Sequence, residues 1–211
     1  MLTFYHTTSA FYIKSIKDNG LGSINPNINF NLLPFLKEML DIAETKIPEN
    51  IQLNKLSFTT KKMLNLNEKS TSLLNDSRVH LYPSLDLAIK HSKNKYGSQV
   101  LSRCIDFYTL LKKNNLTQLI KKSNIPFSIE MLIDEKPENY ILELKNITPQ
   151  EILSENVTKI EDLFSELNDF KEKDSKLFNI ISSQFTFELK SVIPASRIIF
   201  FKEKHLKHQT L

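Results

Sequence analysis

Leu2-Thr3-Phe4-Tyr5-His6-Thr7-Thr8, followed by Ser9 to Asn19 and closed by Gly20-Leu21, reads as a short apolar strand running straight into a helix. Residues 2–6 supply the strand, and His6 stands at its end. Ser9 has the side chain of a helix cap, Phe11, Tyr12, Ile13 and Ile16 recur at helical spacing, and Gly20 supplies the stop. A strand end that delivers an imidazole and two hydroxyls to one spot, beside the positive end of a helix dipole, can hold a polar ligand.

Outward from this unit, strands and helices interleave. Gly20 to Asn27 has loop chemistry. A second helix starts at Asn29 or Asn31, carries Pro34 in its first turn, and buries a stripe of Phe35, Leu36, Met39, Leu40, Ile42 and Ala43 before Pro48 stops it. Residues 51–66 favour a helix around Phe58 to Leu64, and 67–78 is polar and loop-like. Val79 to Tyr82 reads as a strand, and Ser84 opens a helix through Leu85, Leu87, Ala88 and Ile89. One or two helices are expected over 98–122. Phe127 to Ile133 and Tyr140 to Leu144 alternate like strands and suggest a hairpin across 134–139. Residues 149–171 read as an acidic helix. Phe185 to Leu189 alternates strictly, and Arg197 to Phe201 reads as the last strand after Pro194.

The chain has 211 residues, 40% of them hydrophobic, which is enough for a globular core. No repeat or linker divides it, so the expectation is a single α+β domain over 1–211 with helical insertions at about 30–78 and 98–125. Neither a signal peptide nor a membrane span is read from the sequence, and the expected location is cytoplasmic. The single cysteine, Cys104, sits in an apolar stretch as a buried small hydrophobe, which excludes an internal disulfide and a cysteine-based zinc site. No metal site is expected. With only three glycines, Gly20, Gly22 and Gly97, neither a dinucleotide fingerprint nor a phosphate loop can be assembled. A net charge of +4 leans mildly toward an anionic partner.

Three places can carry chemistry. His6, with Thr7 and Thr8, offers donors and acceptors to ribose hydroxyls or an amide. Tyr82 closes a strand ahead of Pro83 and Ser84 and can wall a planar ring, a stiff amphipathic surface; Tyr96, beside Gly97, is a second such wall. On the last-but-one strand Phe185, Phe187 and Leu189 share one face, which leaves Gln184, Thr186 and Glu188 on the other. There Glu188 is either a solvated charge or a carboxylate lining a cleft opposite His6.

The order His, Tyr-x-Ser, Glu resembles the ADP-ribosyltransferase superfamily of the diphtheria-toxin and poly(ADP-ribose)-polymerase type. The first block is His6-Thr7-Thr8 with Ile16-Lys17-Asp18-Asn19-Gly20-Leu21. The second is Leu81-Tyr82-Pro83-Ser84-Leu85-Asp86-Leu87-Ala88. The third is Phe185 to Leu189 ahead of Ile193-Pro194-Ala195-Ser196-Arg197-Ile198. The matched positions cover about a fifth of the chain, and bacterial toxins of this superfamily that modify DNA or RNA are similar in size and block order. Thr7 stands where the family carries glycine. An ungapped alignment on the polymerase branch puts Gln184 rather than Glu188 in the acid position.

The resemblance implies a split mixed or antiparallel sheet core and NAD⁺ as co-substrate. It implies that Tyr82 packs on the nicotinamide ring, that the Thr7 backbone holds the nicotinamide amide, and that His6 and Ser84 fix the ribose end. Glu188 would bond the ribose 2′-hydroxyl and favour a cationic transition state, the charge problem that glycosidases solve with carboxylates. Nicotinamide leaves neutral, so no second acid is demanded. The implied activity is mono-ADP-ribosylation by a bacterial toxin or phage-defence effector. Its acceptor is a macromolecule, nucleic acid slightly ahead of protein, and an antitoxin encoded nearby is the implied partner. The alternatives are an NAD⁺ glycohydrolase of the same fold and an inactive module binding NAD⁺, ADP-ribose or nucleic acid. An RNA 2′-phosphotransferase is disfavoured by the sparse arginines, Arg78, Arg103 and Arg197.

Overall fold

A computed structural model describes residues 2–64, 79–92, 99–126, 129, 138–154, 159–185 and 187–203. The chain divides into two compact units, one from 1–24, 78–97 and 138–211 and the other from 25–77 and 98–137. The expected helical insertions lie in the second unit, apart from residue 78. The class is α+β, with small antiparallel sheets in the first unit.

In the first unit, β1 (Phe4–Ser9) passes directly into α1 (Ala10–Asn19). The strand runs three residues beyond the expected end at His6, through Thr7, Thr8 and Ser9. The Ser9 hydroxyl accepts the Phe11 N–H at 3.2 Å, and the Gly20 N–H closes the helix on the Ile16 carbonyl at 2.9 Å. At Gly20 φ is +86°, and a Cβ there would come within 2.7 Å of the Ile193 carbonyl oxygen, so glycine is required for the Leu21–Ile193 bridge that follows.

β3 (Asn139–Leu144) lies between β1 and β6 (Ile198–Lys202), antiparallel to both. β5 (Phe187–Leu189) lies between β2 (His80–Leu81) and β4 (Ile152–Ser154), also antiparallel to both. α5 (Leu85–Ser92) covers the Ile141 face of the first sheet, where Ala88 and Ile141 are fully buried among Tyr5, Tyr82, Leu85, Ile89 and Phe201. Phe4 faces the other way. It packs edge-on against Phe187, 5.2 Å between centroids, and against Phe164 of α7 (Ile160–Lys173). After α7 comes α8 (Ser175–Ser182), started by the Asp174 carboxylate, which accepts the N–H groups of Lys176 and Leu177.

Two expectations are corrected. The hairpin of 127–133 with 140–144 does not form, because β3 already has β1 on one edge and β6 on the other and has no edge left to pair. Within 127–133 only Ile129 is among the described residues, and it is buried. The segment 149–171 is not one helix. After a 3-10 turn, Ile152–Ser154 adds to the edge of β5, with Ile152 buried opposite Leu189.

The second unit contains α2 (Pro26–Asn29), α3 (Leu32–Lys46), α4 (Ile51–Met63) and α6 (Gln99–Lys113). Leu32, Phe35, Leu36, Met39, Leu40 and Ala43 form the buried stripe of α3; Ile42, expected in it, is half-buried. Asn31 precedes the helix in a left-handed conformation, φ 53°, and its side chain makes no cap bond. Cys104 is buried and its thiol reaches the Leu32 carbonyl at 3.5 Å; burial pushes the thiol up, away from ionisation. The expected polar loop 67–78 lies outside the described residues.

Candidate functional site

Tyr5 of β1 and Tyr82, just past β2, exchange both backbone bonds, Tyr5 N–H to Tyr82 O at 2.7 Å and Tyr82 N–H to Tyr5 O at 2.8 Å. This single bridge is the only ladder contact between β1 and β2 among the described residues, and beyond it the two strands belong to separate sheets. Where a regular antiparallel pair would continue at Thr7 and His80, the His6 ring comes in instead, its Nδ1 2.9 Å from the His80 carbonyl oxygen. A carbonyl only accepts, so Nδ1 carries the proton. Burial outweighs the bond to the His80 carbonyl, which acts the other way, and pushes His6 down to about 4, so the ring is neutral near pH 7. Nε2 is then a free acceptor.

Strand alternation fixes a second consequence. In an antiparallel strand residues two apart direct their backbone polar groups to the same neighbour. The Thr7 N–H and C=O therefore point, like those of Tyr5, toward the strand that carries His80, with no ladder partner across the gap. Thr7 also bonds Tyr82 through the two side-chain hydroxyls, while burial raises the phenol. The Tyr82 ring is half-buried and stacks on His91, 4.5 Å between centroids with an 18° tilt. Burial, with nearby Lys90, lowers His91.

Glu188 is central in its sheet, with His80 directly opposite on β2 and Leu153 on β4. It is 5% exposed, so it is no solvated charge. Its Oε1 lies 3.6 Å from Nδ1 of His80, whose side chain is 58% exposed. Phe187 and Leu189 take the other face, as the alternation of the strand requires. The residue across from Glu188 is thus His80, not His6. His80 joins the two: His6 reaches its carbonyl and Glu188 its ring.

Of the residues singled out from the sequence, His6 and Glu188 both reach His80, one its carbonyl and the other its ring, while Thr7 and Tyr82 meet each other beside the Tyr5–Tyr82 bridge. Thr8 is buried farther along β1 opposite Tyr140. Ser84 is committed to capping α5, its hydroxyl accepting the Leu87 N–H at 3.3 Å. Tyr96 lies outside the described residues. Gln184 is exposed in the turn after α8, outside β5. Sequence reading passed over His80 and His91. His80 was detectable, since a strand ending at Tyr82 sets residue 80 on the same face as residue 82. His91 was detectable only once α5 was known to fold back over Tyr82.

Among the described residues no group of three or more histidine, cysteine or acidic side chains stands together as a metal site. No helix among them is long and apolar enough to cross a membrane. An open groove of about 550 Å³ lies in the second unit, lined by Pro34, Glu38, Ile42, Thr45, Leu119 and Lys121 among others, and includes none of these site residues. The histidine–tyrosine–glutamate cluster, with its titratable and aromatic groups, is the better chemical candidate. Compared with known proteins, the chain matches no family model, no curated protein and no solved structure.

Proposed function

We propose that the protein is an NAD⁺-dependent mono-ADP-ribosyltransferase built on a split sheet of the ADP-ribosyltransferase kind. It acts in the cytoplasm as a bacterial toxin or phage-defence effector on nucleic acid or protein, with an antitoxin as its partner. The observation that carries this reading is the way β1 and β2 part after the Tyr5–Tyr82 bridge, with His6 inserted at the parting and Glu188 across from His80.

The donor set suits the nicotinamide riboside end of NAD⁺. A carboxamide needs one donor and one acceptor side by side, which the Thr7 backbone offers in the gap. Neutral His6 presents Nε2 as an acceptor for a ribose hydroxyl. Tyr82 supplies a ring held in plane by Thr7 at its hydroxyl and by His91 on a face. NAD⁺ supplies a glycosidic bond whose cleavage gathers positive charge on the ribose. Buried Glu188 offers a preorganised negative charge that favours such a transition state over the ground state. His80, exposed at the rim, orients that carboxylate.

The test is incubation of the purified protein with labelled NAD⁺ and cell extract, following nicotinamide release and label on nucleic acid and protein. Wild type releases nicotinamide and labels an acceptor, whereas His6→Ala and Glu188→Gln lose both. Nicotinamide release without label on any macromolecule identifies a glycohydrolase instead. No release at all rejects the reading.

A further inference from the structure

We infer that the outer face of α4 is a binding surface for single-stranded nucleic acid. α4 packs into its own unit through Leu53, Leu56 and Thr60, all buried. On the opposite side Ile51, Lys55, Phe58 and Lys62 follow one another at helical spacings of four, three and four residues. Phe58 is 63% exposed and Ile51 73%, an unusual exposure for large apolar side chains on a regular helix that otherwise buries its apolar positions well.

The chemistry of this face selects the partner. α4 carries three lysines and no acidic residue. Lys61 is held by Glu44 at 2.7 Å, whereas Lys62 rests 4.4 Å above the Phe58 ring. Lys55 and Lys62, two turns apart, attract the phosphates of a strand laid along the face. An exposed ring between them offers the stacking platform that a base with an open face can use. Bases in a duplex have no open face, so the single strand is selected. Asn54 and Thr59 are exposed beside the ring and can bond base edges or phosphate. A protein partner would require a continuous apolar patch, but Ile51 and Phe58 are two turns apart with Lys55 between them. This surface does not depend on NAD⁺ binding at the histidine–tyrosine–glutamate cluster.

The test is fluorescence anisotropy with a short fluorescein-labelled oligothymidylate and with an oligoadenylate RNA, over a range of salt. Wild type binds one or both. Phe58→Ala weakens binding about tenfold or more, and Phe58→Trp retains it. Lys55→Gln with Lys62→Gln lowers the slope of log affinity against log salt by about 1.4, the loss of two phosphate contacts on a single strand. Glu188→Gln leaves binding unchanged, which separates this surface from the candidate active site. The inference is overturned if wild type binds neither oligonucleotide or if Phe58→Ala binds as wild type does. It is equally overturned if Phe58→Ala converts a self-associating protein to monomer with no effect on oligonucleotide binding.

Discussion

His6 donates from Nδ1 to the backbone carbonyl of His80 across 2.9 Å, at the point where β1 and β2 cease to pair. A side chain thus takes the role that a backbone N–H plays in a continuous ladder. The two sheets are pinned together there without being merged, and polar backbone of β1 is left directed into the gap. The same bond sets the tautomer of the ring, and with it the acceptor character of Nε2.

Burial of the His6 ring makes stability depend on pH in a definite direction. An unfolded histidine protonates near pH 6.5, while folded His6 resists protonation until about pH 4. The unfolded state binds more protons across that window, so folding weakens as pH falls through it. At about 1.36 kcal/mol per pH unit, wild type should lose about 2–3 kcal/mol more between pH 6.5 and 4 than His6→Gln, which has nothing to titrate. Urea unfolding at the two pH values measures the difference; equal losses would show that His6 protonates freely in the fold.

Arg197 anchors the start of β6. Its Nη1 meets Glu151 at 2.6 Å, its Nε donates to the Lys145 carbonyl at 3.1 Å, and its Nη2 reaches Asn146 and Glu151. The guanidinium holds the Glu151 carboxyl down at about 2. Arg197→Met should cost about 2 kcal/mol at pH 7, as charge-assisted bonds to a carboxylate and to carbonyls are lost. The contribution of the pair is present above the ordinary carboxylate range and fades as pH drops toward 2. The gap between wild type and variant should therefore narrow at pH 3, as thermal unfolding can record.

Gly20→Ala should destabilise by about 1–3 kcal/mol, combining a left-handed φ with a contact against backbone that has no rotamer to yield. The added Cβ would press on the Ile193 carbonyl that receives the Leu21 N–H. Circular dichroism melts test this. A variant as stable as wild type would mean that the chain reverses there by some other geometry.

Tyr82 separates ring from hydroxyl. Tyr82→Phe keeps the stacking surface and loses the bond to Thr7, so the Michaelis constant for NAD⁺ should change by about threefold or less. Tyr82→Ala should raise it about tenfold, the value of one aromatic stack. Steady-state nicotinamide release distinguishes these, and an inert Tyr82→Ala would remove the ring from the site.

The elements that could be read from the sequence are those whose signals are local. Ser9 and Gly20 bracket α1 because a hydroxyl cap and a left-handed stop act within a few residues. Ser84 likewise caps the helix it was expected to open. Glu188 could be set on the face away from Phe187 because strand alternation has a period of two. Local signals fail where pairing partners decide. Tyr140 to Leu144 was correctly a strand, but its neighbours come from the two ends of the chain, β1 and β6, which alternation cannot specify. Ile152–Ser154 is a strand only because β5 offers it an edge. His80 escaped notice because its weight comes from two distant residues, His6 and Glu188, that meet on it only in the fold.

Nicotinamide release from NAD⁺ by wild type and Glu188→Gln, compared at equal concentration and with matched unfolding curves, bears most directly on whether this cluster cleaves a dinucleotide. Release by wild type and a loss of about a hundredfold or more in the variant is expected from removing a preorganised transition-state charge. Equal rates in the two proteins, or none in either, would contradict it.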